Sequence, residues 1–333
     1  DTARAKVLPS QTERPVRMHV GFTVILPVYN RAAHIAPALA SVLDQTRPAE
    51  EIIVVDDGSS DDLESALAPY RDRITLIRQE NGGVAKARNT GAAAATQPWL
   101  TFQDSDDLWA PDHLETVARD LAHADDDVVC HLGDVTYVGE GYREGLFEVK
   151  ARSFPMDHAE RVEDPLPLVI SGMTLQAAAI RADVFAQLGG FDVEMRMLSD
   201  TAFFCQLALE GPFVVTGRNM ADILRLEGDQ NAITSMHRTK RLYAREMHVR
   251  ILDRIPQARL SPGNREMVRR LLSGAQFRMA EVLAETDRVG ALRLLVRSAR
   301  LHPSSHTGWI KAAIGLLGPR GYAFLQRRHK VLD

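Results

Sequence analysis

Asp104, Asp106 and Asp107 place three carboxylates within four positions, in the run Thr101-Phe102-Gln103-Asp104-Ser105-Asp106-Asp107. Like charges bunched this closely repel one another, so the cluster belongs either in open water or around a cation. Hard divalent ions such as Mn²⁺ or Mg²⁺ take oxygen ligands and often hold substrate phosphates at the same time. The competing reading is a solvated turn, because Asp is also a common turn and N-cap residue. What precedes the cluster favours the cation. Trp99 to Phe102 reads as a strand, and open α/β sheets bind their ligands outside the carboxyl ends of strands. Tyr29-Asn30-Arg31 closes an apolar run over 23–28, and Asp56-Asp57-Gly58-Ser59-Ser60 closes another over 52–55. Asn81-Gly82-Gly83 follows a third run over 74–77 and opens an Ala-rich helix carrying Lys86 and Arg88. Small residues at a helix start are expected to leave backbone N–H groups open to an anion. Four strand ends converging on one edge point to a nucleotide-phosphate site.

Strands alternating with helices must position these groups. Helices are expected over 32–45, with Pro37 in the early part where it is best tolerated, after Asp61-Asp62, and over 84–95. This alternation argues for an α/β fold with a mostly parallel sheet flanked by crossover helices. Beyond Trp109 the pattern predicts a helix over 111–123, strands over 128–131 and 134–138, and hairpin signals at Gly139-Glu140-Gly141. An irregular polar stretch then runs to Asp164. A strand over 174–181 and a short helix over 183–188, stopped by Gly189-Gly190, lead to an apolar helix over 201–209. From Ser235 the spacing is helical, over 236–255, 263–285, 287–301 and 305–317, with Pro256, Pro262, Pro303 and Pro319 as punctuation. Three regions follow: a flexible leader at 1–20, an α/β domain at 21–232 with halves at 21–125 and 126–232, and a helical C-terminal region at 233–333.

The chain has 333 residues, 45% of them hydrophobic and 25% charged, with a net charge of −4. That composition is ordinary for a soluble globular protein and gives no whole-chain case for nucleic acid or membrane. The charge is uneven. From 290 to 333 there are eight Lys and Arg residues against one acid, Asp333. Those basic helices either pack on the domain with a solvated face or touch anionic membrane peripherally. No segment reaches the roughly 18 consecutive apolar residues of a spanning helix, and residues 1–19 lack a signal-peptide core. Cys130 and Cys205 lie far apart in apolar surroundings, so buried free thiols in a reducing compartment are expected. The expected location is cytoplasmic, with a peripheral position at the inner face of the plasma membrane as the alternative.

The successive segments 24–30, 54–59, 81–89 and 104–107 resemble the signatures of family 2 glycosyltransferases, which have the GT-A fold. The likeness in order and spacing covers roughly 22–217. It implies a nucleotide-sugar donor, UDP- or GDP-linked with UDP preferred, a divalent cation (Mn²⁺ or Mg²⁺), and transfer with inversion at the anomeric carbon. By the same resemblance Pro27, Tyr29 and Asp57 line the base and ribose pocket, and Asp104 approaches the ribose or sugar. Asp106 binds the metal, and Arg88 neutralises phosphate or holds the acidic loop. Asn30, Asn81 and Lys86 complete the donor-binding set, although Lys86 also reads as a solvated face and Asp56 as a turn residue.

The segment from Gly189 to Asp200 resembles the family block that ends in an acidic pair before a helix. Here Ser199 replaces the first acid, and Asp200 keeps the position of the catalytic base. An N-cap is its plainer reading, and Asp192, Glu194 and Glu227 are its competitors. Further on, 224–230 resembles a segment in which a histidine assists the metal or diphosphate. Glu227 stands there instead, as a candidate oxygen ligand, with His237 beyond it. The implied activity is a metal-dependent inverting glycosyltransferase acting on a glycan or lipid-linked acceptor in bacterial surface-polysaccharide synthesis. A sugar-1-phosphate nucleotidyltransferase would need a Gly-rich basic loop after the first strand, which 27–31 is not. A non-catalytic nucleotide-sugar-binding scaffold sits poorly with Asp57, Asp104, Asp106 and Asp200 together.

Overall fold

The computed structural model describes residues 20–225, 241–284 and 286–301. Glu227, His237, the leader before Val20, the helix expected over 305–317 and the basic residues from Lys311 onward lie outside the described residues.

The first half is built as its apolar runs dictate. Strands β1 (Phe22–Val28), β2 (Glu51–Asp56), β3 (Thr75–Arg78) and β4 (Trp99–Phe102) alternate with helices α1 (Ile35–Leu43), α2 (Leu63–Leu67) and α3 (Val84–Ala94). All seven residues of β1 are buried, as a central strand covered on both faces requires. Helix α3 lies close to this sheet because it is made of small residues. A Cβ on Gly91 would stand 2.5 Å from Ile25 Cγ2.

The second half contains β5 (Leu108–Trp109), α4 (His113–Leu121), β6 (Cys130–Gly139), β7 (Tyr142–Gly145), α5 (Leu146–Val149) and β8 (Glu160–Val162). After these come α6 (Leu166–Ile170), β9 (Ala178–Arg181), α7 (Ala182–Gln187), α8 (Ser199–Leu207) and β10 (Phe213–Leu224). Along one sheet the order is β3-β2-β1-β4-β9-β6-β10-β5, with β7 beside β6 and β8 beside β10. The first four strands in that order are parallel, as are β6 and β10. Antiparallel β9 joins the halves between β4 and β6. Strand order reverses between β1 and β4, so the crevice where ligands bind lies at their carboxyl ends.

Two local expectations change, and one strand is new. The strands expected over 128–131 and 134–138 are the single strand β6, because Gly133 does not break it. Gly133 instead lets β10 approach, since a Cβ there would fall 2.1 Å from Met220 Cγ. The strand expected over 174–181 is only β9, preceded by a 3₁₀ turn at Leu175–Ala177. Strand β10, which no expectation covered, carries register shifts around Asn219 where its apolar alternation lapses.

Helices α9 (Arg241–Arg254), α10 (Pro262–Leu283) and α11 (Arg288–Leu301) form the described part of the C-terminal region. Met247, Ile251, Leu252, Ile255, Val268 and Leu272 join the main core, so this part packs on the α/β domain. Ser261 caps α10 by accepting from Asn264 N–H, and Asn264 donates in turn to Asp164. No helix among the described residues is long and apolar enough to cross a membrane. Both cysteines are buried and free, and burial pushes the Cys205 thiol up to about 12.

Candidate functional site

The turn after β1 depends on Asn30, whose φ of 51° lies in the left-handed region that Asn tolerates better than most residues. Its side-chain oxygen accepts from Ser60 N–H at 2.8 Å, and its own N–H donates to Ser59 Oγ at 3.0 Å. The end of β1 is thereby latched to the loop after β2. Pro27 is buried inside β1 opposite Val55, while Tyr29 stands 50% exposed at the edge.

Asp57 is almost fully buried, and its carboxylate organises the next loop. Oδ1 accepts from Gly82 N–H (2.9 Å) and Gln79 Nε2 (2.7 Å), and Oδ2 accepts from Gly83 N–H (2.8 Å). Asn81 donates to the Asp57 carbonyl. Of the N–H groups expected to be open to an anion at the start of α3, those of Gly82 and Gly83 are therefore taken. The protein supplies the anion itself, since a carboxylate at a helix start meets both unpaired donors and the positive end of the dipole. Asp56 is a turn residue, accepting from Ser59 N–H with Arg78 3.4 Å away. Lys86 is exposed on α3, its methylenes lying over Gly82.

The acidic loop after β4 holds three carboxylates in three different environments. Asp104 accepts from Arg88 through Oδ1 and from Gln176 Nε2 (2.6 Å) through Oδ2. The same Gln176 nitrogen donates to Asp107 Oδ2 at 3.1 Å, and Leu224 N–H donates to Asp107 Oδ1 at 2.9 Å. Asp107 is buried, so desolvation first, and then the charges of Asp104 and Asp106, push its carboxyl up to about 8. Asp106 is 30% exposed, close to the 28% of Asp104, and Arg31 Nη2 lies 3.5 Å from its Oδ2. Among the described residues no three His, Cys, Asp or Glu side chains form a metal cage. The half-exposed carboxylates of Asp104 and Asp106 nevertheless fit the Mg²⁺ or Mn²⁺ mode in which one or two carboxylates hold the ion and substrate phosphates complete its shell.

Asp200 lies in the first turn of α8, inside the helix rather than at its cap. Leu198 is the cap residue, with φ of 60°. Asp200 is half-buried, and its Oδ1 accepts from Thr201 N–H at 2.7 Å. Two of its competitors are bound up elsewhere. Arg254 meets Asp192 at 2.7 Å, and Arg250 meets Glu194 at 2.8 Å. Burial alone would raise the Asp192 carboxyl, but Arg254, the Glu194 N–H and Arg250 hold it below its ordinary range. A carboxylate stabilised in this way is a weak base.

Helix α3 ties the two halves together. Arg88 holds Asp104, and its guanidinium lies 5.8 Å from the Phe191 ring centre. Its neighbour Asn89 donates to the Phe191 carbonyl (2.8 Å) and accepts the Phe191 N–H (2.9 Å). Gly190 is required beside this clamp, since its φ is +72° and a Cβ would fall 2.6 Å from Asn89 Oδ1. Sequence reasoning missed Gln176, Asn89 and Arg31. The structure gathers Asn30, Arg31, Asp57, Asn81, Arg88, Asp104 and Asp106 around the β1–β4 crevice, while Glu227 is outside the described residues.

Comparison with known proteins agrees with this geometry. Residues 23–189, half of the chain, match the family described as glycosyl transferase family 2. A glycosyltransferase of Haemophilus influenzae described as uncharacterized is 31% identical over 193 residues, 57% of this chain and 63% of that protein. The succinoglycan biosynthesis protein ExoW of Rhizobium meliloti is 40% identical over 121 residues, 34% of this chain and 37% of its own length. The matched stretch thus spans less than two thirds of either relative. Among solved structures, S. aureus TarS 1-349 in complex with UDP superimposes with a TM-score of 0.68 at 18% identity, covering 94% of this chain and 92% of that one. The fold is GT-A-type, and the chain belongs to glycosyl transferase family 2.

Proposed function

We propose that the protein transfers a sugar from a nucleotide-sugar, by preference a UDP-sugar, to a hydroxyl of a glycan or lipid-linked acceptor, with inversion and with a divalent cation. The observation that carries this reading is the acidic loop at the carboxyl end of β4. It offers two half-exposed carboxylates, Asp104 and Asp106, with Arg88 and Arg31 close to them. TarS is described in complex with UDP and, separately, with UDP-GlcNAc, which supports a uridine donor. The description of ExoW supports a place in surface-polysaccharide synthesis.

In this reading Tyr29, Pro27, Asn30 and the Asn81 loop shaped by Asp57 form the walls of the nucleoside pocket. Asp104, held by Arg88 and Gln176, meets the ribose or sugar. Asp106, joined by Glu227, would hold Mn²⁺ or Mg²⁺. When bound, the ion supplies Lewis-acid stabilisation of charge on the departing diphosphate. Asp200 takes the acceptor proton as the new bond forms on the face opposite the leaving group. Lys86 and Arg88 add positive charge on the phosphate side. The basic segment 290–333 keeps two readings, helices packed on the domain with a solvated face and, as the alternative, a peripheral contact with anionic lipid at the inner face of the plasma membrane. Vesicle binding that weakens with salt would support this contact.

A thermal-shift panel of UDP-, GDP-, CMP- and dTDP-sugars with and without Mn²⁺ tests the donor assignment. A ligand at a hundred times its dissociation constant adds roughly 2.7 kcal/mol. Stabilisation by UDP-sugars that needs Mn²⁺, together with release of UDP, is the expected result. A response to no nucleotide-sugar would overturn the reading.

A further inference from the structure

We infer that Gln176 reads the donor's sugar, its side-chain oxygen accepting a hydroxyl of the group to be transferred. The inference rests on the proposed nucleotide-sugar reading and goes further by naming a residue that selects the sugar. Gln176 lies in the 3₁₀ turn at the head of β9. Because β9 runs antiparallel to β4 and β6, that head stands at their carboxyl ends, on the crevice. The turn is held from behind, since the Gln176 carbonyl accepts from Trp109 Nε1 at 3.1 Å.

Gln176 is only 8% exposed. Both hydrogens of Nε2 are committed, one to Asp104 Oδ2 at 2.6 Å and one to Asp107 Oδ2 at 3.1 Å. Turning the amide over would set Oε1 against those two acids, so its orientation is fixed. Oε1 has no partner among the described residues, and unlike Gln103 Oε1 it is not sealed from solvent. An oriented acceptor in so buried a side chain calls for a donor. Asp104, one hydrogen bond away and held on its other oxygen by Arg88, is the acid set to meet the ribose or sugar. A sugar brings hydroxyl donors to this edge, whereas a diphosphate brings only acceptors, which Oε1 repels. A site that hydrogen-bonds a substrate hydroxyl rejects the analogue lacking it, because its own polar group is then left unpaired.

The test removes the hydroxyl from the ligand and the acceptor from the protein, singly and together. UDP, UDP-glucose, UDP-GlcNAc and the single-deoxy forms of both sugars are titrated by calorimetry in saturating Mn²⁺. Gln176→Lys keeps a hydrogen-bond donor for Asp104 and Asp107 and offers no acceptor. Wild type is expected to bind one deoxy form about tenfold more weakly than its parent, and Gln176→Lys to bind those two alike. UDP, which lacks the transferred sugar, should differ by no more than about threefold between the proteins. Gln176→Met, with neither donor nor acceptor, should also lose the distinction and decides the matter where the lysine is not accommodated. A deoxy penalty equal in wild type and variant, or none for any deoxy form in wild type, would refute the contact and leave the donor reading standing. Wild type that binds none of these ligands would remove both.

Discussion

His113 offers a sharp test of how burial controls this domain's response to acid. Its ring is wholly buried, stacked on Trp109 at 4.0 Å, and its Nδ1–H donates to the Met220 carbonyl at 2.9 Å. That bond fixes the neutral tautomer and leaves Nε2 without a partner among the described residues. Protonation would put a charge on this buried, unpaired atom. Desolvation first, and the nearby His131 as a lesser cause, therefore lower the His113 pKa from 6.5 to about 3, against the opposing pull of the Met220 carbonyl and Asp112. A folded pKa below the unfolded one means that the unfolded chain binds the extra proton. The stabilising effect is complete above pH 6.5 and is lost as pH falls toward the folded value. The slope is about 1.4 kcal/mol per pH unit, so the loss at pH 5 is about 2 kcal/mol. His113→Phe keeps a ring over Trp109 and removes the titration. Urea unfolding of both proteins at pH 7.5 and pH 5 gives the stability gap between them. This gap subtracts other groups, including Asp107, whose raised pKa slopes the opposite way. The gap should move by about 2 kcal/mol against wild type between the two pH values. A gap constant to within about 0.5 kcal/mol would show that His113 is protonated in the fold.

Three substitutions test the site and its frame. Asp200→Asn should lower turnover by about 10²–10⁴-fold with UDP affinity unchanged, and a loss of tenfold or less would move the base to Glu227. Asp106→Ala should abolish transfer while the melting temperature holds or rises, because a repelling charge leaves the cluster; near wild-type turnover would remove its metal role. Gly190→Ala should cost about 1–3 kcal/mol from its positive φ and the Asn89 oxygen. In an Asn89→Ala background the collision is gone and the cost should shrink, so strictly additive losses in denaturant would contradict the clamp.

The first half was legible because each strand is a short, β-branched apolar run and each run ends in polar residues. Asn30, Asp57 and Asp104 could be placed at strand ends from that alone. What their side chains do there could not. Asp57 turns inward to Gly82 and Gly83, a partnership 25 and 26 residues away that depends on how the loop folds back. Strand β6 was divided because Gly133-Asp134 looks like a break, and β10 was unseen because Thr216-Gly217-Arg218-Asn219 interrupts its apolar pattern. Gln176 carries no local signal, since one glutamine in an apolar run gains meaning only when a 3₁₀ turn aims it at two acids. The C-terminal helices followed from proline punctuation, and their packing face became evident only with the core they join.

The hydrogen bond from Leu224 N–H to Asp107 spans 117 residues of sequence. At a synthesis rate of 5–20 residues per second, the acidic loop waits roughly 6–23 seconds on the ribosome for that donor. Strands β1 to β4 can pair in the meantime, because their partners are all made by residue 102. Until β10 emerges, the newborn chain can carry its first four strands paired and Asp104 held by Arg88, with Asp107 still without its Leu224 donor. A chain cut short before residue 224 would remain in that condition, with paired strands and Asp107 lacking its Leu224 donor.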